Sequence, residues 1–218
     1  MLWDMVRRRM LTELRGQVRA INTLAFSPKG VLAAGGNSGV IELWNPADSR
    51  NLDVLQAGTD LILSLAFSPD GQMLASVGRD NRVRLWNTMS KRNVATFRAV
   101  WWNNVRSLVF TSNGKELVSS GGDNQAKVWD VSTQKKLATL TGHRQVVRAL
   151  ATSPDGTLLA TASYDATVRL WSLGSYDLKA LMKGHEDFVT SVAISPDGRT
   201  LATGSLDRMV RLWPISPR

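Results

Sequence analysis

Asp165-Ala-Thr-Val-Arg-Leu-Trp171 is one of five versions of a single phrase in this chain. Asp80-Asn-Arg-Val-Arg-Leu-Trp86 and Asp207-Arg-Met-Val-Arg-Leu-Trp213 share its last four residues. Asp123-Asn-Gln-Ala-Lys-Val-Trp129 keeps its two ends, and Ser38-Gly-Val-Ile-Glu-Leu-Trp44 has Ser in place of Asp. The tryptophans fall 42, 43, 42 and 42 residues apart, and Trp3 precedes Trp44 by 41. A fixed period of this length means one structural unit copied in tandem.

A second phrase recurs upstream of the first. It reads Ser68-Pro-Asp-Gly71, Ser153-Pro-Asp-Gly156 and Ser195-Pro-Asp-Gly198, with Ser27-Pro-Lys-Gly30 and Thr111-Ser-Asn-Gly114 as variants. Pro fixes φ near −65°, Asp or Asn suits turn geometry, and Gly takes a positive φ without steric cost, so the phrase is a turn. Short apolar or β-branched runs flank it, as in Val105–Phe110, Glu116–Ser119, Ala126–Trp129 and Lys136–Leu140. Runs of that length read as strands. Four short antiparallel strands per roughly 40–45 residues, in tandem, predict the blades of a β-propeller and an all-β fold.

The dipeptides Trp129-Asp130, Gly142-His143 and Gly184-His185, with the turn phrase and the Asp six residues before each Trp, make the chain resemble a WD40-repeat protein over essentially its whole length. The expected organisation is a single propeller over residues 1–218, with repeats at about 18–58, 59–100, 101–143, 144–185 and 186–218. Residues 3–17 match the tail of a unit, because Gly16-Gln17 follow Trp3 at the spacing of Gly142-His143 after Trp129. The last unit stops just after a third strand, at Trp213-Pro-Ile-Ser-Pro-Arg. Residues 1–17 are therefore expected to supply the outer strand of the last blade, Val6–Leu14 pairing with Val210–Trp213 in a closed five-bladed ring. An open arc, an oligomer or part of a larger propeller remain open.

The resemblance also implies a structural hydrogen-bond chain, read as His143, Ser163, Asp165 and Trp171 in the fourth unit and His185, Ser205, Asp207 and Trp213 in the fifth. A hydrolase reading of the Ser-His-Asp set is weaker. The Trp N–H needs a buried acceptor, whereas a nucleophile needs exposure and an oxyanion site. The other units depart from this pattern, with Gly58 and Trp101 at the His position. Trp101 and Trp102 either pack between blades or anchor a partner.

Proteins of this resemblance mostly act as rigid platforms that bind on one flat face. Transferred by position, the partner-binding candidates are Leu61, Leu63, Arg79, Asn104, Arg106, Val146, Arg148, Tyr164, Phe188 and Leu206. Apolar, aromatic and Arg residues together suit an acidic peptide or protein partner. The alternative is that several of the apolar ones cap the core between blades.

Composition narrows the classes. The absence of cysteine excludes disulfides and thiolate metal sites and suits a reducing compartment, so a cytoplasmic location is expected. No apolar run reaches the roughly 18–20 residues of a bilayer span, and no membrane partner is expected. Asp80, Asp123, Asp165 and Asp207 lie on successive units, where turn-stabilising roles are expected and metal ligation is not. No cofactor and no catalytic residue is assigned. The net charge of +9 is carried in part by Arg84, Lys127, Arg169 and Arg211, which stand two residues before Trp86, Trp129, Trp171 and Trp213. It reads as a solvated basic rim or as weak affinity for nucleic acid or another polyanion. The sequence thus predicts a non-catalytic interaction scaffold. The alternatives are a module of a larger signalling protein or a weak polyanion binder.

Overall fold

The computed structural model describes residues 1–16, 20–58, 61–100 and 104–215, and every element within them is a strand. The chain opens with a hairpin, β1 (Leu2–Asp4) and β2 (Arg9–Thr12). Blade 1 follows as β3 (Ile21–Phe26), β4 (Leu32–Gly36), β5 (Val40–Asn45) and β6 (Arg50–Gln56). Blade 2 is β7 (Ile62–Phe67), β8 (Met73–Gly78), β9 (Arg82–Asn87) and β10 (Asn93–Arg98). Blade 3 is β11 (Val105–Phe110), β12 (Glu116–Gly121), β13 (Ala126–Asp130) and β14 (Lys136–Leu140). Blade 4 is β15 (Val147–Thr152), β16 (Leu158–Ser163), β17 (Thr167–Ser172) and β18 (Leu178–Lys183). Blade 5 is β19 (Val189–Ile194), β20 (Thr200–Ser205) and β21 (Val210–Pro214). Each blade is an antiparallel meander in chain order. The expected all-β architecture of tandem blades is thus the observed one.

The turn phrase closes the first two strands of every blade. The N–H groups of Gly30, Gly71, Gly114, Gly156 and Gly198 each donate to the carbonyl three residues back, at 2.8–2.9 Å. Gly71, at φ 66°, stands where a larger residue would be strained. The Asp of the phrase accepts from the Ser hydroxyl, as in Ser68 Oγ to Asp70 Oδ1 at 2.6 Å. That bond and the Gln72 N–H hold the Asp70 carboxyl below its usual range.

The core lies between blades. The forward face of one blade, built from third-strand residues such as Val83 and Leu85, packs on the rear face of the next, here Val105, Leu108, Phe110, Leu117 and Trp129. The same junction joins Ile41 and Leu43 to Ile62, Leu65, Leu74 and Trp86. It recurs with Val128 on Leu159 and Trp171, and with Val168 and Leu170 on Val189 and Leu201. Each buried Leu, Ile or Val contributes about 1.5–3 kcal/mol, so the junctions hold the array together. Side-chain hydroxyls tie neighbouring inner strands as well: Thr23 Oγ1 accepts from Leu65 N–H and Ser64 Oγ from Leu108 N–H.

Among the described residues the expected pairing of Val6–Leu14 with Val210–Trp213 is not formed. β2 pairs with β1, with Trp3 opposite Met10. Trp171 lies opposite Leu178 in the same way, a third strand against its fourth. Residues 2–12 are thus the outer half of a blade, and the side of β2 that would meet β21 is already taken by β1. β21 pairs with β20 and with no other described strand. The end faces are correspondingly uncovered. Ile21, Leu24 and Phe26 on β3, and Val210 and Leu212 on β21, are each more than half exposed.

Candidate functional site

The Trp of each repeat needs an acceptor for its buried N–H. In blade 4 Trp171 Nε1 donates to Thr161 Oγ1 at 3.0 Å, and His143 Nε2 lies 2.8 Å from the same oxygen. His143 Nδ1 lies 2.9 Å from Asp165 Oδ2. Blade 5 repeats the chain through Trp213, Thr203, His185 and Asp207. A carboxylate only accepts and an indole N–H only donates. Every group is therefore satisfied when His Nδ1–H donates to Asp and the Thr hydroxyl donates to His Nε2.

The hydroxyl in this chain corrects the sequence expectation. Ser163 and Ser205 lie outside the His–Trp link. Ser163 Oγ donates to the Gln145 carbonyl and accepts from Asp165 N–H. Ser205 does the same with Asp187 and Asp207. Trp171 faces Leu159 across the ladder, and Thr161 is the next residue along on that face. Ser163 lies a further two residues away, about 6.6 Å, beyond the reach of the indole N–H.

Burial raises the Asp165 carboxyl. The hydrogen bonds from His143, Thr167 and Arg144 N–H outweigh it, and the group stays well below its usual range. Asp207 is lowered in the same way by His185 and the N–H groups of Met209 and Glu186, against the effect of burial. Gly142, before His143, has φ 130°, where a larger residue would be strained, and its carbonyl accepts from Arg169 Nη2 at 2.8 Å.

Blades 2 and 3 keep the Trp link but replace the His. Trp86 and Trp129 donate to Ser76 and Ser119, both at 2.8 Å. Arg84 Nη2 lies 2.6 Å from Asp80 Oδ2, and Lys127 Nζ pairs with Asp123. These cations are largely buried, not part of a solvated rim. Sequence reading missed the pairs. The available signal was an Asp four residues before a cation in units that lack the His. Trp101 and Trp102 lie outside the described residues.

A second constellation lies at one end of the blades. The residue before each inner strand accepts, through its carbonyl, from the residue before the third-strand turn. Arg79 N–H donates to Leu61, Gly122 to Asn104, Tyr164 to Val146 and Leu206 to Phe188, at 3.0–3.2 Å. The two groups of partner candidates therefore meet at one end of each blade. Tyr164 and Phe188 stack across the junction of blades 4 and 5, with ring centroids 4.5 Å apart. Each inner strand also carries a bulge at its second residue, the register skipping Leu63, Arg106 and Arg148. A bulge frees its residue from a ladder partner and re-aims it. No motif in the sequence marks it. Arg79, Arg106, Phe188 and Leu206 are exposed, while Leu61, Leu63, Asn104, Val146, Arg148 and Tyr164 are half-buried.

At the opposite end, a cleft of about 850 Å³ opens between blades 4 and 5, lined by Asp155, Leu170, Lys179, Met182, Arg199 and Ile215 among others. Among the described residues no group of three His, Cys, Asp or Glu gathers as a metal site, and no helix is long and apolar enough to cross a membrane.

Known proteins show the same repeats. The family pattern described as "WD domain, G-beta repeat" matches residues 8–45, 50–87, 92–130, 134–172 and 177–214. The chain is 34% identical over 89 residues to mouse (Mus musculus) "WD repeat and SOCS box-containing protein 1", covering 39% of this chain and 21% of that protein. It is 35% identical over 91 residues to rice (Oryza sativa subsp. japonica) "Small ribosomal subunit protein RACK1y", covering 41% and 26%. It is 31% identical over 84 residues to a "Coronin-like protein" of Saccharomyces cerevisiae, covering 38% and 13%. The matches thus span between 13% and 26% of these relatives' length. Each matched unit of the family pattern begins near a fourth strand and ends at a third, the phase seen here, and with five such units in register the chain belongs to the WD-repeat family.

Proposed function

We propose that this protein is a non-catalytic interaction scaffold. Its partner, a peptide or protein with an acidic group beside apolar side chains, binds the blade end that carries the inner-strand bulges. The family is one of protein-interaction scaffolds and is generally non-catalytic. The observation that carries the finer reading is the bulge itself. In blades 3 and 4 it frees Arg106 and Arg148 from ladder pairing, at the blade end where Tyr164 and Phe188 stack. Cations released from ladder pairing, and aromatic rings at the same end of a rigid frame, make a binding surface with little ordering cost.

The test is an array of acidic-apolar 12-residue peptides probed at low salt with the wild type and with Arg106→Glu/Arg148→Glu. The charge reversal is expected to weaken the best binders at least about tenfold, or 1.4 kcal/mol. Unchanged binding removes this face. A steep salt dependence with nucleic acid, whatever its sequence, would favour the polyanion reading instead. That reading is weakened by the ion pairs that engage Arg84, Lys127 and Arg211. A module of a larger, cytoplasmic protein is compatible with the same surface, since the relatives are several times longer than their matched stretches.

A further inference from the structure

The two uncovered end faces are chemical complements. The rear face of blade 1 presents Ile21, Leu24 and Phe26, the same residue types as Ile62, Leu65 and Phe67, which pack on the forward face of blade 1. The forward face of blade 5 presents Val210 and Leu212. They stand in the phrase Val-Arg-Leu-Trp that in blade 2 carries Val83 and Leu85 onto Val105, Leu108 and Phe110. A surface of the first kind and a surface of the second kind already meet at four junctions within the chain.

The strand edges are complementary too. β21 has an open edge, and β2 is a fourth strand whose place beside a third strand is held by Leu2-Trp3. Leu2 lies opposite Thr12, as Leu170 lies opposite Ala180, nine residues after its Trp in both cases. Leu212-Trp213 repeats Leu2-Trp3 and could take its place. A strand added to β21 would also flank the cleft between blades 4 and 5. Between blades 3 and 4 that space is spanned by Tyr176, whose hydroxyl donates to Glu116 at 2.7 Å.

The geometry points to head-to-tail assembly of this chain with a second copy. Blade 5 of one copy covers Ile21, Leu24 and Phe26 of the other. β2 of the second copy leaves its own β1 and adds to β21 of the first, Thr12 opposite Leu212. The exchange replaces a three-residue strand by a five-residue one in the same register. Such a swap removes an exposed edge at low cost. It is independent of the proposed partner face.

The chain has no cysteine, so a Thr12→Cys/Leu212→Cys variant reports one pairing cleanly. Facing residues on adjacent strands lie within disulfide range. Mild oxidation of the full chain is expected to give covalent species at about twice 23.9 kDa or a head-to-tail series, and light scattering of the unmodified protein at about 100 μM a mass above the monomer's. Leu24→Asp/Leu212→Asp alters two exposed positions and is expected to return a folded monomer with unchanged far-UV circular dichroism. Arg106→Glu/Arg148→Glu is expected to leave the mass unchanged, which separates this assembly from the partner face. A monomer at all concentrations, a disulfide closed within one chain, or a multimer indifferent to the aspartates overturns the proposal.

Discussion

Blades 4 and 5 share the phrase Val-Arg-Leu-Trp and the same Trp–Thr–His–Asp hydrogen-bond chain, yet they differ in what lies beyond them. Val168 and Leu170 are 1% and 6% exposed, whereas Val210 and Leu212 are 73% and 68% exposed. The sequence of a repeat fixes its internal bonds. The burial of its forward face is set by the next blade. Stability in such an array is therefore a sum of repeat and junction contributions, and two near-identical repeats need not be equally stable.

Three measurements test the difference between the two blades. Leu170→Ala is expected to lower the unfolding free energy by about 2–5 kcal/mol, because it empties a buried junction. Leu212→Ala in the monomer should cost less than about 1 kcal/mol. Urea denaturation of both reads the difference, and equal losses would mean that the forward face of blade 5 is covered in solution. Next comes the hydroxyl between His and Trp. Thr161→Val leaves Trp171 N–H and His143 Nε2 without that partner and should cost about 1–3 kcal/mol for each group. Thr203→Val should cost less, since Trp213 is only half-buried. Ser163→Ala matching Thr161→Val would show that the bonds run through the serine.

The smallest effect is on acid stability. Asp165 and Asp207 are held in the folded chain well below their usual 3.8. A carboxyl lowered on folding stabilises above its unfolded pKa, and the gain is lost as pH falls toward the folded value. Melting temperature should therefore be level above about pH 5 and fall below about pH 4. Asp165→Asn should be less stable near neutral pH and flatter on the acid side. An acid limb of unchanged slope would remove Asp165 as its source.

The repeats were legible because they are local. A turn needs Pro, Asp and Gly at fixed offsets, a strand needs a short apolar run, and both recur at one period. The Asp and His of the hydrogen-bond chain were expected from the family resemblance, not from any local pattern of their own. The choice of Thr161 over Ser163 was not legible, because both lie on one face of β16 and ladder register alone decides which meets the indole. The state of the first and last blades was illegible for a different reason. Trp3 gives the N-terminal segment the register of a third strand with its fourth, so β2 satisfies its pairing locally. Nothing within a repeat says whether a pairing is made inside the hairpin or across the ring. The ion pairs of Arg84 and Lys127 were hidden behind a net charge, which counts cations without showing how many are neutralised by a neighbour.

The recurring bulge has a consequence for how such a surface can change. A residue with no opposite number in the ladder can be replaced without disturbing strand alignment, and Leu63, Arg106 and Arg148 show that the position accepts quite different side chains. One variable site per blade, on a frame that is otherwise constrained, lets recognition be rewritten one blade at a time while the architecture is inherited unchanged.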